Sequence, residues 1–488
     1  MIDPNRRAQG VTAVLVVIAL GLLVSLGAPG GWPAQIWTPL WRSAWQAALS
    51  ASASCVVGLS MAYAAYHCSP SLRPAWWRGL LNTTPIMPTL VVVLMLISAY
   101  GRSGIVSGGA GLYGLGGIVL AHCFINAPWV SQQVLSQFAG ITQQQHRMAD
   151  QLGVKGFHRF GLVFWPVIAE TVRRQWALVF LLSFTSFAVV LVLAGSPKWA
   201  TLEVRLYQLI TLEFDLAGAV SLAWLQLLAL LPLMLLMHRH LNSTISLGQA
   251  YQARPTLWGS LLWLVLSALW ALPMLALALR AVQLDWPALL AQPIVWQAAW
   301  TSAWVAALSA SSAVILAWFL ARGAQSWVGG ISGMLYFLIP SQVMALGLFL
   351  AFRAWGWGHP ALAVGLSNTL MCLPFMLSVL VPALKRYPQA RLIHQLGLNA
   401  TARMRWIYWP RFASQLTWCW IFAFGLSLGD FGVVALFGSQ DFTTLPHLLY
   451  QKLGSYRTGD AYGIAVMMWA ALAALFILAT PRSAHVTR

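Results

Sequence analysis

One short phrase occurs twice in this chain, half a chain length apart, and it constrains the fold more than any other feature. Gln151-Leu152-Gly153 is followed by Trp165-Pro166, and Gln395-Leu396-Gly397 is followed at the same spacing by Trp409-Pro410. The offset is 244 residues in a chain of 488. Each copy is a polar island between apolar runs, so the chain reads as a doubled hydrophobic unit that offers the same handle to a partner twice.

Composition identifies what surrounds those islands. Charged residues make up 8% of the chain, against about 25% in a soluble domain. Apolar residues make up 59%, with 27 tryptophans and 39 glycines. A soluble core would use such apolar residues, but its surface would need more charge than this; the composition is that of a bilayer protein. The net charge of +18 does not indicate nucleic acid, because the basic residues sit in short loops between apolar runs, as in a protein set against an anionic inner leaflet. Cys55, Cys68, Cys123, Cys372 and Cys419 are scattered, without metal-ligand spacing, and read as small buried hydrophobes.

Runs long enough to cross roughly 30 Å of hydrocarbon lie near 11–29, 45–66, 84–100, 113–130, 173–195 and 216–237, then near 257–279, 298–320, 334–352, 361–384, 412–436 and 461–479. The expected fold is therefore an all-α integral membrane protein of two tandem six-helix lobes, about 12 transmembrane helices. The first lobe covers 1–240 with a cytoplasmic loop at 141–166, and the second covers 241–488 with a loop at 385–410. Pro85, Pro88 and Pro340 interrupt the third and ninth runs, as tolerated where a helix is buried in protein or lines a cavity. With the N-terminus inside, the inner segments hold 20 basic against 3 acidic residues, a net +17, and the outer ones 8 against 7, a net +1. Both termini and both Gln-Leu-Gly loops are then cytoplasmic. Arg6 and Arg7 before the first run leave a cleaved signal peptide as the alternative for that segment.

The repeat extends further. Trp45-Gln46-Ala47-Ala48 recurs as Trp296-Gln297-Ala298-Ala299, Pro88-Thr89 is matched by Pro340-Ser341, and Ser183–Val190 lines up with Ser427–Val434. Six spans per half keep the orientation of the repeat, which places a pseudo-twofold axis along the membrane normal and a pathway between the halves. In each loop a glycine follows a short amphipathic segment, a helix-stop signal, and a proline marks entry into the next helix. A small stiff helix joined to a spanning helix is suited to receiving mechanical work.

These loops resemble the signature of the permease subunits of prokaryotic ATP-binding-cassette importers, a cytoplasmic Glu-Ala-Ala…Gly…Leu-Pro segment. Positions 147–166 and 391–410 match its spacing and keep its glycine and proline. The opening is Arg147-Met148-Ala149 and Arg391-Leu392-Ile393 instead, and tryptophan precedes each proline. Two permeases fused in one chain resemble the ferric-iron and thiamine branches. The run Gly429–Gly438, with Asp441-Phe442, Thr444-Leu445-Pro446 and Gly454–Arg457, is similar to the thiamine and thiamine-pyrophosphate branch. The resemblance implies two copies of an ATPase subunit gripping the loops at Gln151, Leu152, Gly153, Trp165 and Pro166 and at Gln395, Leu396, Gly397, Trp409 and Pro410. It further implies an extracytoplasmic solute-binding protein, the bacterial inner membrane as location, and MgATP on the partner. Thiamine as cargo rests on the resemblance alone; ferric iron or another small solute, and an ion-gradient-driven secondary transporter, are the alternatives.

The chain has four lysines and no phosphate-binding loop, so it is not itself expected to hydrolyse ATP or to bind a cofactor. Gly109-Ala110-Gly111-Leu112-Tyr113-Gly114 fits a dinucleotide pattern by letter only, having no preceding strand. Asp430 falls in or beside the eleventh span, where a carboxylate is expensive and often functional. Gly429 and Gly432 beside it suggest close packing or a broken helix, and a structural or gating role is favoured over cargo contact. His122 and Asn368, matched at an offset of 246, are pathway candidates in the fourth and tenth spans.

Overall fold

The computed structural model describes residues 21, 25–27, 36–106, 112–138, 140–194, 199–239, 255–323, 339–355, 359–385, 398–439 and 441–479. The first expected span, the Gly109–Gly111 stretch and Gln395-Leu396-Gly397 lie wholly or largely outside these residues. The described chain is helical throughout, without a strand. In order the helices are α1 (Trp37–His67), α2 (Ala75–Thr83), α3 (Thr89–Tyr100), α4 (Leu115–Phe138), α5 (Gln143–Gln151), α6 (Gly156–Arg159), α7 (Trp165–Phe184), α8 (Ala188–Leu193), α9 (Leu202–Thr211) and α10 (Leu216–Arg239). They continue as α11 (Leu257–Val282), α12 (Trp286–Leu290), α13 (Pro293–Gly323), α14 (Ser341–Trp355), α15 (Pro360–Lys385), α16 (Ala400–Arg403), α17 (Trp409–Leu428), α18 (Val434–Phe437), α19 (Leu445–Gly454) and α20 (Thr458–Ala479). Among the described residues, five helices are long and apolar enough to cross a membrane, and a bent pair makes a sixth.

That bent pair is the interrupted third run. Residues 76–86 and 89–100 are inclined at 115°. Met87, ahead of Pro88, is driven to extended backbone (φ −60°, ψ 137°), because the proline ring disfavours the helical region for its predecessor. The expected span over 84–100 is therefore not one straight helix.

The helices fall into two compact units. One comprises 33–208 and 228–284; the other comprises 1–32, 209–227 and 285–488. In the first, α1 packs on α4 and α7. Its buried face is small (Ser43, Ala47, Ser50, Ala51, Ser54, Gly58, Ala62), which lets backbones approach. A Cβ on Gly58 would lie 2.7 Å from Val130 Cβ and 2.8 Å from the Ala127 carbonyl oxygen. Helix α11 belongs to this unit. The Trp263 indole donates to the Leu72 carbonyl at 3.1 Å, and the Trp270 indole donates to the Phe124 carbonyl at 3.1 Å while stacking on the Phe124 ring. Thr256 N donates to the His67 carbonyl at 2.8 Å.

The second unit repeats the arrangement, with α13 packing on α15 and α17. Specific contacts repeat as well. Ser43 Oγ accepts from Leu202 N at 2.9 Å, and Ser302 Oγ from Leu445 N at 2.7 Å. The Trp176 indole donates to Ser52 Oγ at 3.1 Å, and the Trp420 indole to Ser311 Oγ at 3.1 Å. These pairs set α1 against α13 at an offset of 259, which corrects one sequence expectation. The structural counterpart of Trp45-Gln46-Ala47-Ala48 is Trp304-Val305-Ala306-Ala307, not Trp296-Gln297-Ala298-Ala299. Matched breaks follow: α7 ends at Phe184 and α17 at Leu428, α3 starts after Pro88 and α14 after Pro340. All five cysteines are buried and unpaired.

Candidate functional site: the loop helix and the polar layer

Helix α5 is delimited at both ends by its own sequence. At its start Thr142 Oγ1 accepts from Gln145 N at 3.3 Å, and Gln145 Oε1 accepts from Thr142 N at 2.8 Å, a reciprocal cap. At its end Gly153 adopts φ +66°, and Val154 N donates to the Ala149 carbonyl at 2.9 Å. This is the left-handed stop that favours glycine. The helix presents two faces. His146 and Ala149 are buried, whereas Met148 and Leu152 are 54% and 75% exposed. Gln151, Gly153 and Pro166 are exposed too, and Trp165 is 43% exposed.

The buried face is held by Arg159. Its Nη1 bonds Asp150 Oδ1 at 2.5 Å and its Nη2 donates to His146 Nδ1 at 3.0 Å. Nδ1 therefore accepts, Nε2 carries the hydrogen, and that nitrogen meets the Tyr66 hydroxyl at 3.2 Å. Burial, and then the neighbouring guanidinium, hold the imidazole below the ordinary histidine range, against a smaller opposite pull from Asp150. Below lies an apolar cluster that includes Phe138, Ile141, Ala149, Val163 and Phe164. The short helix is thus bound both to the end of α1 and to the root of α7.

The prolines differ from expectation in an informative way. Pro166 does not open a helix: α6 runs through a π turn, Phe160–Phe164, straight into α7, with helical dihedrals at Arg159, Phe160 and Trp165. The Trp165 N–H donates five residues back, to the Phe160 carbonyl. The second repeat does the same, with a π turn at Met404–Tyr408 and the Trp409 N–H donating to the Met404 carbonyl. A proline inside an α-helix lacks a donor and clashes with the carbonyl four residues back. One extra residue in the preceding turn relieves the clash. The last residue of each turn is a buried aromatic. Phe164 packs edge-on to Tyr66 and Phe138, and Tyr408 packs edge-on to Trp318 with Arg322 over its ring at 4.9 Å.

At the other end of α7 and α17 lie the remaining candidates. Asp430 sits in the turn that breaks α17 from α18; its Oδ1 accepts from Gly432 N at 3.1 Å, and its Oδ2 has no hydrogen-bond partner among the described residues. Gln342 Nε2 donates to the Gly432 carbonyl at 2.8 Å. A Cβ on Gly432 would lie 3.0 Å from Ser341 Oγ, so this is a close backbone approach. Gly429 is the residue that ends α17. Asn368 Nδ2 donates to Ser427 Oγ at 2.9 Å. His122, in the first unit, meets Ser50 Oγ through Nδ1 at 3.0 Å. Sequence reasoning missed Gln46, whose Nε2 donates to the Ser183 carbonyl at 2.6 Å. The signal was available: Ser43–Ser52 and Ser302–Ser311 agree at every position except Gln46 against Val305. No cluster of potential metal ligands occurs among the described residues.

No family model matches the chain. It is similar to the thiamine transport system permease protein of Escherichia coli, 34% identical with 95% of this chain and 94% of that protein covered. The protein of the same name from Haemophilus influenzae is 33% identical over 94% and 93% of the two chains. That from Brucella abortus is 34% identical over 96% and 93%.

Proposed function

Because the chain belongs to the family of thiamine transport system permease proteins, we propose that it is the membrane-spanning subunit of an ATP-driven importer for thiamine and its phosphates. The observation that carries this reading is similarity along nearly the whole chain, coupling loops included. The protein sits in the bacterial inner membrane as two six-span repeats with both termini cytoplasmic. Two ATPase subunits, which hold MgATP, engage the two loops; a solute-binding protein delivers cargo to the outer face. The chain itself carries no cofactor.

The geometry of the first loop supports the mechanical role. An ATPase that grips the exposed Met148, Leu152 and Trp165 pulls on a helix already tied by Arg159 to the root of α7. Closure of the ATPases moves that root, the spanning helices follow as rigid rods, and the pathway opens outward; hydrolysis resets it. Gly397 with Gln395 and Leu396 forms the matching handle of the second repeat. Gly429, Asp430 and Gly432 take a gating role at the break in α17.

The test is uptake of labelled thiamine by cells that lack their own importer, with this chain expressed beside its binding protein and ATPase. Uptake that requires all three, and that fails when Gly153 and Gly397 are both replaced by valine at unchanged expression, supports the reading. Uptake without the ATPase refutes it.

A further inference from the structure

The two repeats share a scaffold and differ in what they mount on it. Ser43, Ser52 and Trp176 make the same contacts as Ser302, Ser311 and Trp420. Between them, the first repeat places Gln46 where the second has Val305, and His122 where the second has Asn368. Gln46 bonds the Ser183 carbonyl, and one helical turn along α1 Ser50 bonds His122. Helices α1, α4 and α7 therefore meet in one polar layer. Gln46, His122 and Ser183 are at most 3% exposed.

This layer is incompletely paired. Gln46 Oε1, His122 Nε2 and Ser183 Oγ have no hydrogen-bond partner among the described residues. In the second repeat the matched pair, Asn368 and Ser427, bond each other at 2.9 Å. Buried polar groups are paired in folded proteins as a rule. Three atoms of this layer lack a partner among the described residues, two of them on residues the other repeat does not use, which sets the layer apart from the matched Asn368–Ser427 pair.

We propose that Gln46, His122 and Ser183 form a recognition site for the neutral hydrogen-bonding edge of the cargo's aminopyrimidine ring; this rests on the thiamine reading. The side chains bonded within the layer are uncharged, which suits that ring and neither the thiazolium cation nor a phosphate. The Gln46 amide nitrogen is engaged by the Ser183 carbonyl, so its free atom is an acceptor. The site uses the tautomer in which the Ser50 hydroxyl donates to His122 Nδ1, so that Nε2 carries the hydrogen and donates. An acceptor beside a donor complements an exocyclic amine beside a ring nitrogen. Gln46 lies 20 residues from Tyr66 on α1, about 30 Å at 1.5 Å per residue, so the layer stands at the end of the bundle away from the coupling helix.

The experiment reconstitutes permease, ATPase and saturating cargo-loaded binding protein in vesicles, and compares uptake of labelled thiamine with labelled oxythiamine, in which a carbonyl replaces the ring amine. Gln46→Val and His122→Asn install residues that the second repeat already carries at the matched positions; Ser183→Ala is a third, smaller change. The wild-type complex is expected to favour thiamine. In Gln46→Val, thiamine uptake falls about tenfold and oxythiamine uptake stays within about twofold, so the preference collapses. An equal fall for both cargoes, or an unchanged preference in all three variants, overturns the site while thiamine import stands. Uptake of neither cargo by the wild-type complex refutes the thiamine reading and this inference with it.

Discussion

Arg159 donates from Nη2 to Nδ1 of His146 across 3.0 Å, so the arginine that anchors α5 depends on that histidine being neutral. The same guanidinium bonds Asp150 one turn further along α5. Arg159 therefore grips two consecutive turns of a helix only nine residues long, and a force applied to α5 reaches α7 through a charge-assisted contact as well as through the loop.

A pH dependence follows. The folded-state pKa of His146 lies below its ordinary value, so the unfolded or undocked loop binds more protons than the docked one. Docking is then fully stabilised above the ordinary value and weakens as pH falls through it. Amide-exchange protection factors over 143–154, corrected for the intrinsic exchange rate at each pH and measured in the assembled complex between about pH 8 and about pH 5.5, should fall at the acid end. His146→Gln should flatten that dependence. A loss of protection of equal size in the variant would remove His146 as its origin.

Gly153 separates backbone strain from lack of space. A Cβ there meets nothing within 4 Å, yet φ is +66°. Gly153→Val should cost about 1–2 kcal/mol of loop stability through the left-handed backbone alone, and Gly153→Asn appreciably less. The expected reading is ATP hydrolysis retained and uptake reduced in the valine variant, with the asparagine variant near wild type. Equal loss in both would point to a side-chain clash with the ATPase instead.

The serines beneath α9 and α19 offer a matched pair. Each accepts a buried backbone N–H, from Leu202 and from Leu445. Ser43→Ala and Ser302→Ala should each cost about 1–3 kcal/mol by leaving that donor unpaired. The midpoint of thermal unfolding in detergent should drop for both; an unchanged midpoint in either would show that the donor finds another partner.

At Gly58 the α1 backbone lies close against α4. Gly58→Leu drives a side chain into Val130 and the Ala127 carbonyl, and overpacking of this kind costs about 1–3 kcal/mol or more. The variant should assemble poorly with its ATPase, whereas Gly454→Leu, where a Cβ meets nothing within 4 Å, should not. Comparable assembly of the two variants on gel filtration would refute the close contact.

The sequence by itself determined whatever is local or periodic. Apolar runs gave the helices, Gly153 gave the end of α5, and the repeated Gln-Leu-Gly…Trp-Pro phrase exposed a doubled scaffold, because left-handed stops depend on a few adjacent residues. Tertiary structure decided the rest. Pro166 and Pro410 look like helix starts, but the packing of Phe164 and Tyr408 carries each helix through a π turn ahead of them. The correspondence of α1 with α13 is read from where Trp176 and Trp420 find their serines, which four matching letters elsewhere obscured. Helix α11 stands past the midpoint of the chain and still packs on α1 and α3. An apolar helix in a bilayer gains no hydrophobic energy by choosing one neighbour over another. The choice falls to tryptophan hydrogen bonds, small-residue contacts and buried polar pairs, which exist only once distant segments have met.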